Sequence, residues 1–455
     1  MSAKNISITS LLSSALQEAR ARTLELIADL NDSQLLGPRL AIVNPPLWEI
    51  GHIAFFQEYW VLQQARQHLP ILSNGAELYD SARVAHDTRW DLPLPSRDET
   101  LDYMQQVLNR VISEFQCDAS PVVTTNPFDE IYFLQLALFH EDMHAEALTY
   151  TRQTLGYTVP KITLSQNREL NCSDTDGEQT QEFSAAYDLG DAMIPGGRFW
   201  LGSSPNSTFV FDNEQWAHPV TVQPFSISRT AVTNEQFAAF VTEGGYQRQE
   251  LWSEAGWRWR EALAAEYPVY WEPLANGQWL RRYFDQMVPL ENRHPVLHVN
   301  WYEADAYCRW ARRRLPTEAE WEMAASAEPT GDGKSITDRK RQYPWGDDLP
   351  TPERANLDWR AMDCLTVDAL PAGESAFGCR QMIGNVWEWT ADDFFGYPEF
   401  VAGPYKEYSA PWFGDHKVLR GGGWATRSRL IRNTYRNFYK PDRRDVWAGF
   451  RTCAL

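Results

Sequence analysis

The chain contains no CxxC pair. Its six cysteines, Cys117, Cys172, Cys308, Cys364, Cys379 and Cys453, stand far apart, which excludes a zinc ribbon and fits a reducing compartment. No run of about 18 apolar residues is free of charge, so nothing reads as a membrane span. Basic residues are in deficit: 42 Lys and Arg against 61 Asp and Glu give a net charge of −19. A nucleic-acid partner needs a basic surface, so that class is set aside. The opening MSAKNISITS lacks the charged-then-apolar pattern of a secretory signal. These absences lead to the expectation of a cytoplasmic protein. What is abundant is tryptophan, 20 in all and most of them after residue 199. Large aromatic side chains fill irregular cores in loop-rich folds. At 455 residues the chain is long enough for two or three domains.

The two halves differ in texture. Residues 1–160 read as four amphipathic helices, and hence as a four-helix bundle with a long connection across residues 68–95. In the first helix Leu12, Leu16, Ala19, Leu24, Ile27 and Leu30 recur at roughly helical spacing. The second is expected to begin at Asn44-Pro45, a capping residue followed by proline at the first helical position. Ser96-Arg97-Asp98-Glu99 is a capping box and opens the third. Asn126-Pro127 repeats the second start and opens the fourth, which ends near Gly156. Residues 161–190, polar and acidic, have linker composition. From residue 191 to 455 short strands and Gly, Pro and Trp turns predict a compact α+β domain. Helices are expected there near Asn234–Thr242, Tyr302–Arg313 and Glu318–Ala325, and MIPGGRFWLGS reads as strand-turn-strand.

Within LFHEDMHAEAL, His140 and His144 stand four apart on a helical pattern. Residues i and i+4 lie about 40° apart around a helix, so the two imidazoles project together. Their face-mates Phe133, Leu136, Ala137, Met143 and Ala147 are apolar, while Glu141, Asp142 and Glu146 point to other faces. The helix is therefore expected to turn two imidazoles toward the bundle core and most of its charge away. Two buried polar rings need partners, and one metal ion satisfies both. His52, in NPPLWEIGHIAFFQEYW, lies mid-helix on a largely apolar segment and is the third candidate; His68 and His86 have weaker context. Three imidazoles suit zinc, iron, copper or nickel. The letters H-E-D-M-H also fit the HExxH of zinc proteases. A protease needs the glutamate beside the zinc-bound water and a third ligand downstream, and no glycine and histidine follow at that spacing.

Several longer motifs run in order from Met193 to Cys453: MIPGGRFWLGS, HPVTVQPFSISRTAVTNEQFAAFV, RLPTEAEWE, YPWGDD, GNVWEWTADDF, VLRGGGW and AGFRTC. In these the second half resembles the formylglycine-generating-enzyme fold, related to C-type lectins. The cysteine pair of that family is absent, with Thr426 and Ile431 near its places. The first half resembles the DinB-like bundle. A DinB-like bundle followed by this domain is the layout of the ergothioneine-biosynthesis sulfoxide synthases. Those non-haem iron(II) enzymes use O2 to join a sulfur donor to the imidazole C2 of hercynine. The resemblance implies Fe(2+) as cofactor and places its ligands on His52, His140 and His144.

The chain departs from that pattern at named positions. Met143 stands where a glutamine is frequent, and DFFGYPEF puts Phe394 and Tyr397 at the two tyrosine places. The alternative tyrosine pair meets Ala82 and Arg83. Arg436-Asn437-Phe438-Tyr439 with Arg443 replaces a stretch in which an aspartate meets the thiol donor's ammonium group. The segments YDSARVAHDTRWDLPLPS and FHEDMHAEALTYTRQTLGY look most like selenoneine synthases, sister enzymes that join hercynine to a selenosugar. The expectation is carbon–selenium bond formation with hercynine, a selenosugar and O2 as partners. Tyr397 and Phe394 are the expected catalytic positions. Phe438, Tyr397 and Trp424 are expected to wall the trimethylammonium, Asn437 to hold the carboxylate side, and Arg443 or Arg89 to supply charge. Met143 and Tyr439 complete the expected substrate set. GNVWEWT and RLPTEAEWE read as structural signatures, so Glu388, Glu318 and Glu320 are not expected to work as acids or bases. The alternatives are a thiol-using sulfoxide synthase and a lectin-like binding protein without turnover.

Overall fold

The protein, seen here in a computed structural model that describes residues 8–117, 128–163 and 190–455, divides into two units, residues 1–162 and 163–455. The acidic stretch expected to link them lies largely outside the described residues, as does the Asn126-Pro127 start.

In the first unit the long helices are Ile8–Ile27, Pro46–Gln57, Arg97–Cys117 and Glu130–Leu155. The first and second each pack against both the third and the fourth, which gives a four-helix bundle. The capping box at Ser96 forms as expected: the Ser96 N–H donates to Glu99 Oε2 at 2.8 Å. The second helix starts one residue later than its sequence suggests, with Pro45 before it in an extended conformation and Pro46 in its first turn. The ring of Pro46 excludes the helical conformation from the residue before it, so Pro45 cannot join the helix. This helix runs on into a π-helical segment, Glu58–Ala65. The fourth helix is capped by Asp129, whose Oδ1 accepts from the Tyr132 N–H at 2.9 Å. It ends at Gly156 in the left-handed conformation, φ 65°, where a side chain would be strained. The connection across residues 68–95 carries a short helix, Gly75–Tyr79, that periodicity did not reveal.

The expected division of charge on the fourth helix does not occur. Glu141, Asp142 and Glu146 are all buried, because the helix is packed on more than one side. Glu141 accepts from Arg20 Nε at 2.8 Å and from Thr23 Oγ1 at 3.0 Å.

The second unit is built on two four-stranded sheets. One runs in the order Asp191–Ile194, Phe225–Ser228, Cys453–Ala454, Arg313–Arg314, so both ends of the domain share a sheet. The other runs Asn437–Tyr439, Lys417–Arg420, Trp387–Asp393, Ala448–Gly449. The strands of MIPGGRFWLGS form, Asp191–Ile194 and Gly197–Leu201, yet they pair with different partners. They part at Gly196 (φ 69°), where a Cβ would stand 2.6 Å from the Val222 carbonyl oxygen. Helices span Asn234–Thr242, Trp301–Trp310 and Glu318–Ser326, near the expected places, and a further one, Glu254–Leu263, is too polar to have been signalled. Trp321, Trp359, Trp387, Trp389 and Trp424 are wholly enclosed, the use expected of so many tryptophans. Among the described residues no helix is long and apolar enough to cross a membrane.

Candidate metal centre

The second and fourth helices of the bundle bring three imidazoles together. His52, His140 and His144 each offer a ring nitrogen, and these nitrogens lie within 4.8 Å of one another. Three nitrogens bound at about 2.1 Å to one ion stand no more than about 4.2 Å apart, so the set is within a small closing movement of ligating geometry. Ring centroids are 5.0 Å apart for His52–His140, 5.0 Å for His52–His144 and 4.4 Å for His140–His144. The i, i+4 pair behaves as its spacing predicts, and the facing helix supplies the third ring.

Hydrogen bonds settle which nitrogen of two rings is free. His52 Nδ1–H donates to the Tyr79 carbonyl at 2.7 Å. A carbonyl only accepts, so the lone pair of His52 is on Nε2. His144 Nδ1 bonds Glu49 Oε1 at 2.8 Å, which likewise leaves Nε2 to ligate. Phe56 lies flat on the His140 ring, centroids 3.5 Å apart, and Trp48 stacks on His52 at 4.9 Å. Burial, and then the neighbouring His144 ring, push both His52 and His140 well below the usual imidazole pKa. Both rings are therefore neutral at neutral pH, the ligating form. The donor chemistry and the oriented rings fit a borderline divalent ion.

The short helix Gly75–Tyr79 reaches the site because residue 51 is glycine. A Cβ on Gly51 would stand 2.2 Å from the Tyr79 ring. Gly51→Ala is expected to push Tyr79, and with it the carbonyl that orients His52, outward. Overpacking of this kind costs about 1–3 kcal/mol, and bound metal should fall with it. Denaturant unfolding and metal content measure both; a variant unchanged in each would refute this role of the helix.

Glu141, the glutamate of the HExxH letters, is not beside the ring nitrogens as a free base. It is held by Arg20, itself bonded to Gln57 Oε1 at 3.0 Å. That ion pair removes the protease reading on geometry. His68 instead stands 3.4 Å from Glu114, and His86 Nε2 donates to the Val43 carbonyl at 2.7 Å, so neither joins the cluster. A second group with metal-ligand atoms, Glu291, His294 and Asp363, already has its cation: Arg281 bonds both carboxylates.

Of the other expected residues, Arg89 lies in this unit. Its guanidinium sits 3.7 Å over the Trp48 ring and donates to Asn44 Oδ1 at 2.5 Å. Met143 is half-buried on the fourth helix. The rest lie in the second unit. Phe394 stacks on Phe438 with centroids 3.9 Å apart. Tyr397 is buried, its hydroxyl 3.3 Å from Glu318 Oε1 and its ring 4.2 Å from the Arg436 guanidinium; burial holds its phenol well above the usual range. Asn437 Oδ1 accepts from the Phe438 N–H at 2.8 Å.

Trp424 is wholly enclosed and packs on Trp447 at 4.7 Å. Arg443 is paired with Asp445 by bonds of 2.6 and 2.7 Å and lies 5.2 Å from the Tyr439 ring. Glu318, Glu320 and Glu388 are taken up by Arg420 and Arg436, Arg314, and Arg451 respectively.

Comparison with known proteins agrees with this architecture. Residues 15–148 match the DinB superfamily, and residues 181–454 match the sulfatase-modifying factor enzyme 1-like domain. Hercynine oxygenase of Mycolicibacterium thermoresistibile is 34% identical, over 97% of this chain and 94% of that one. Hercynine oxygenase of Mycobacterium tuberculosis is 34% identical over 96% of each chain. The chain belongs to the hercynine oxygenase family. The formylglycine-generating enzyme of Streptomyces coelicolor, 33% identical, covers only 58% of this chain and 88% of its own. The hercynine oxygenase match, in contrast, takes in both units.

The residues that sequence reading missed at the centre are Glu49, Gly51 and the Tyr79 carbonyl. Glu49 carried a signal: it is an acidic residue three positions before His52 in an otherwise apolar helix. Tyr79 carried none, because a carbonyl contribution is independent of the side chain.

Proposed function

We propose that this protein is an iron(II)-dependent oxygenase acting on hercynine, and that it joins the imidazole C2 of hercynine to the selenium of a selenosugar. The observation that carries the reading is the oriented His52–His140–His144 set in a chain similar along nearly its whole length to hercynine oxygenases. Those three residues would hold the iron, which supplies a site where O2 and a soft chalcogen donor are activated together. Glu49 and the Tyr79 carbonyl hold His144 and His52 in place, while Phe56 and Trp48 keep water from two of the rings. The balance closes with O2 as the four-electron oxidant. A C–H and an Se–H bond break, a C–Se bond forms, one oxygen stays on selenium and the other leaves as water.

Selenium is favoured over sulfur by Phe394 and Tyr439, which stand where the resemblance expects a tyrosine and the aspartate that meets an amino-acid thiol. The full-length similarity to hercynine oxygenases favours a second reading, a thiol-using sulfoxide synthase. Iron-loaded protein incubated anaerobically with hercynine and either donor, then exposed to O2, separates them by product mass. The expected product carries selenium. A sulfoxide from cysteine or γ-glutamylcysteine, with nothing from the selenosugar, would replace the first reading with the second. Neither product, together with no bound iron, would leave a binding protein without turnover.

A further inference from the structure

Glu49 is a buried carboxylate, 1% exposed, in the middle of an apolar helix. Among the described residues its hydrogen-bond and ion-pair partner is His144, and no arginine or lysine is paired with it. The contrast with Glu141 is direct. Glu141 is equally buried but is met by Arg20 at 2.8 Å. A buried carboxylate without an arginine or lysine is strongly disfavoured, and His144 Nδ1 gives it one hydrogen bond. A divalent ion on the far side of the His144 ring, where the ring nitrogens of His52 and His140 lie close by, would supply a positive charge for Glu49.

We infer that Glu49 is a positioning residue of the metal centre: it orients His144 and supplies the negative charge that a divalent ion on the three imidazoles would balance. This rests on the reading of those histidines as metal ligands. The three rings are held differently. His52 is oriented by a neutral carbonyl, whereas His144 is oriented by a carboxylate. A carboxylate behind an imidazole raises its basicity as a ligand, so His144 is a stronger donor than His52. The charge also explains why an acidic residue is tolerated at a position whose neighbours, Trp48 and Ile50, are both enclosed.

The two roles separate by substitution in the full-length chain. Glu49→Gln keeps an oxygen that accepts from His144 Nδ1–H but removes the charge; Glu49→Ala removes both. Outer partners of metal-bound histidine are worth about 10- to 100-fold in affinity. Cobalt(II) dissociation constants, measured by competition with a chromophoric chelator, should rise about tenfold in Glu49→Gln and about a hundredfold in Glu49→Ala. The melting temperature of the metal-free protein gives the second readout. Glu49→Gln keeps the hydrogen bond and removes a buried carboxylate, so it should leave the metal-free protein about as stable as wild type or more so, while shrinking the upward shift produced by cobalt. A residue that merely filled space would destabilise both forms alike. Wild-type affinity in both variants, or a metal-free Glu49→Gln that melts well below wild type, overturns the inference. If wild-type protein itself binds no cobalt, it is the three-histidine reading that fails.

Discussion

If iron is held as proposed, His140→Ala is expected to fold but to lose both bound iron and product formation. His140 is enclosed between Phe56 and the other two imidazoles, and two rings alone do not make a facial set. The cavity left by the ring lowers stability by about 2–5 kcal/mol, the range for large-to-small changes in a core. Part of that is offset, because a buried polar ring is removed with it. Turnover should fall roughly a thousandfold or more, as when a group on which the whole reaction depends is deleted. Metal content by elemental analysis and product by mass spectrometry check the two outcomes together. A variant that retains iron in wild-type amount would remove His140 from the ligand set.

Arg20→Met is the second large effect, and it acts on stability. Arg20 reaches across the bundle to Glu141, Gln57 and the Met104 carbonyl, with both partners of the ion pair nearly solvent-free. Removing the guanidinium strands the Glu141 carboxylate in the core. Breaking one partner of a buried pair costs about 3–5 kcal/mol, read as a lower unfolding midpoint. The double variant Arg20→Met with Glu141→Leu should recover much of the loss, because no lone charge is then buried. Glu141→Gln should keep turnover per folded, metal-loaded molecule. A glutamate acting as general base at the metal would instead lose turnover with little change in unfolding, and that result would overturn the structural assignment of Glu141.

Local rules carried the helices far. The Ser96–Glu99 capping box and the end at Gly156 depend on residues within one turn of one another, and local spacing exposes them. The start at Pro46 was misread by one residue because the constraint of each proline falls on the residue before it. The strands of MIPGGRFWLGS were legible, but not their partners, since pairing is chosen between segments and not within one. Trp424 and Arg443 show the same limit in side chains. Their motif places made them candidates, whereas Trp447 and Asp445 decide what each one touches.

By itself the sequence determined that His140 and His144 share a helix face, since four residues bring a 3.6-residue helix nearly full circle. It also determined the two-part layout and a third histidine in a matching apolar helix. Only the tertiary structure decided that the three rings meet, that Tyr79 holds His52 across 27 residues, that Glu49 holds His144 across 95, and that Arg20 neutralises Glu141 across 121. The reason is physical. Periodicity specifies the direction of a side chain relative to its own helix, whereas hydrogen-bond and charge partners are set by which faces the packed core brings together.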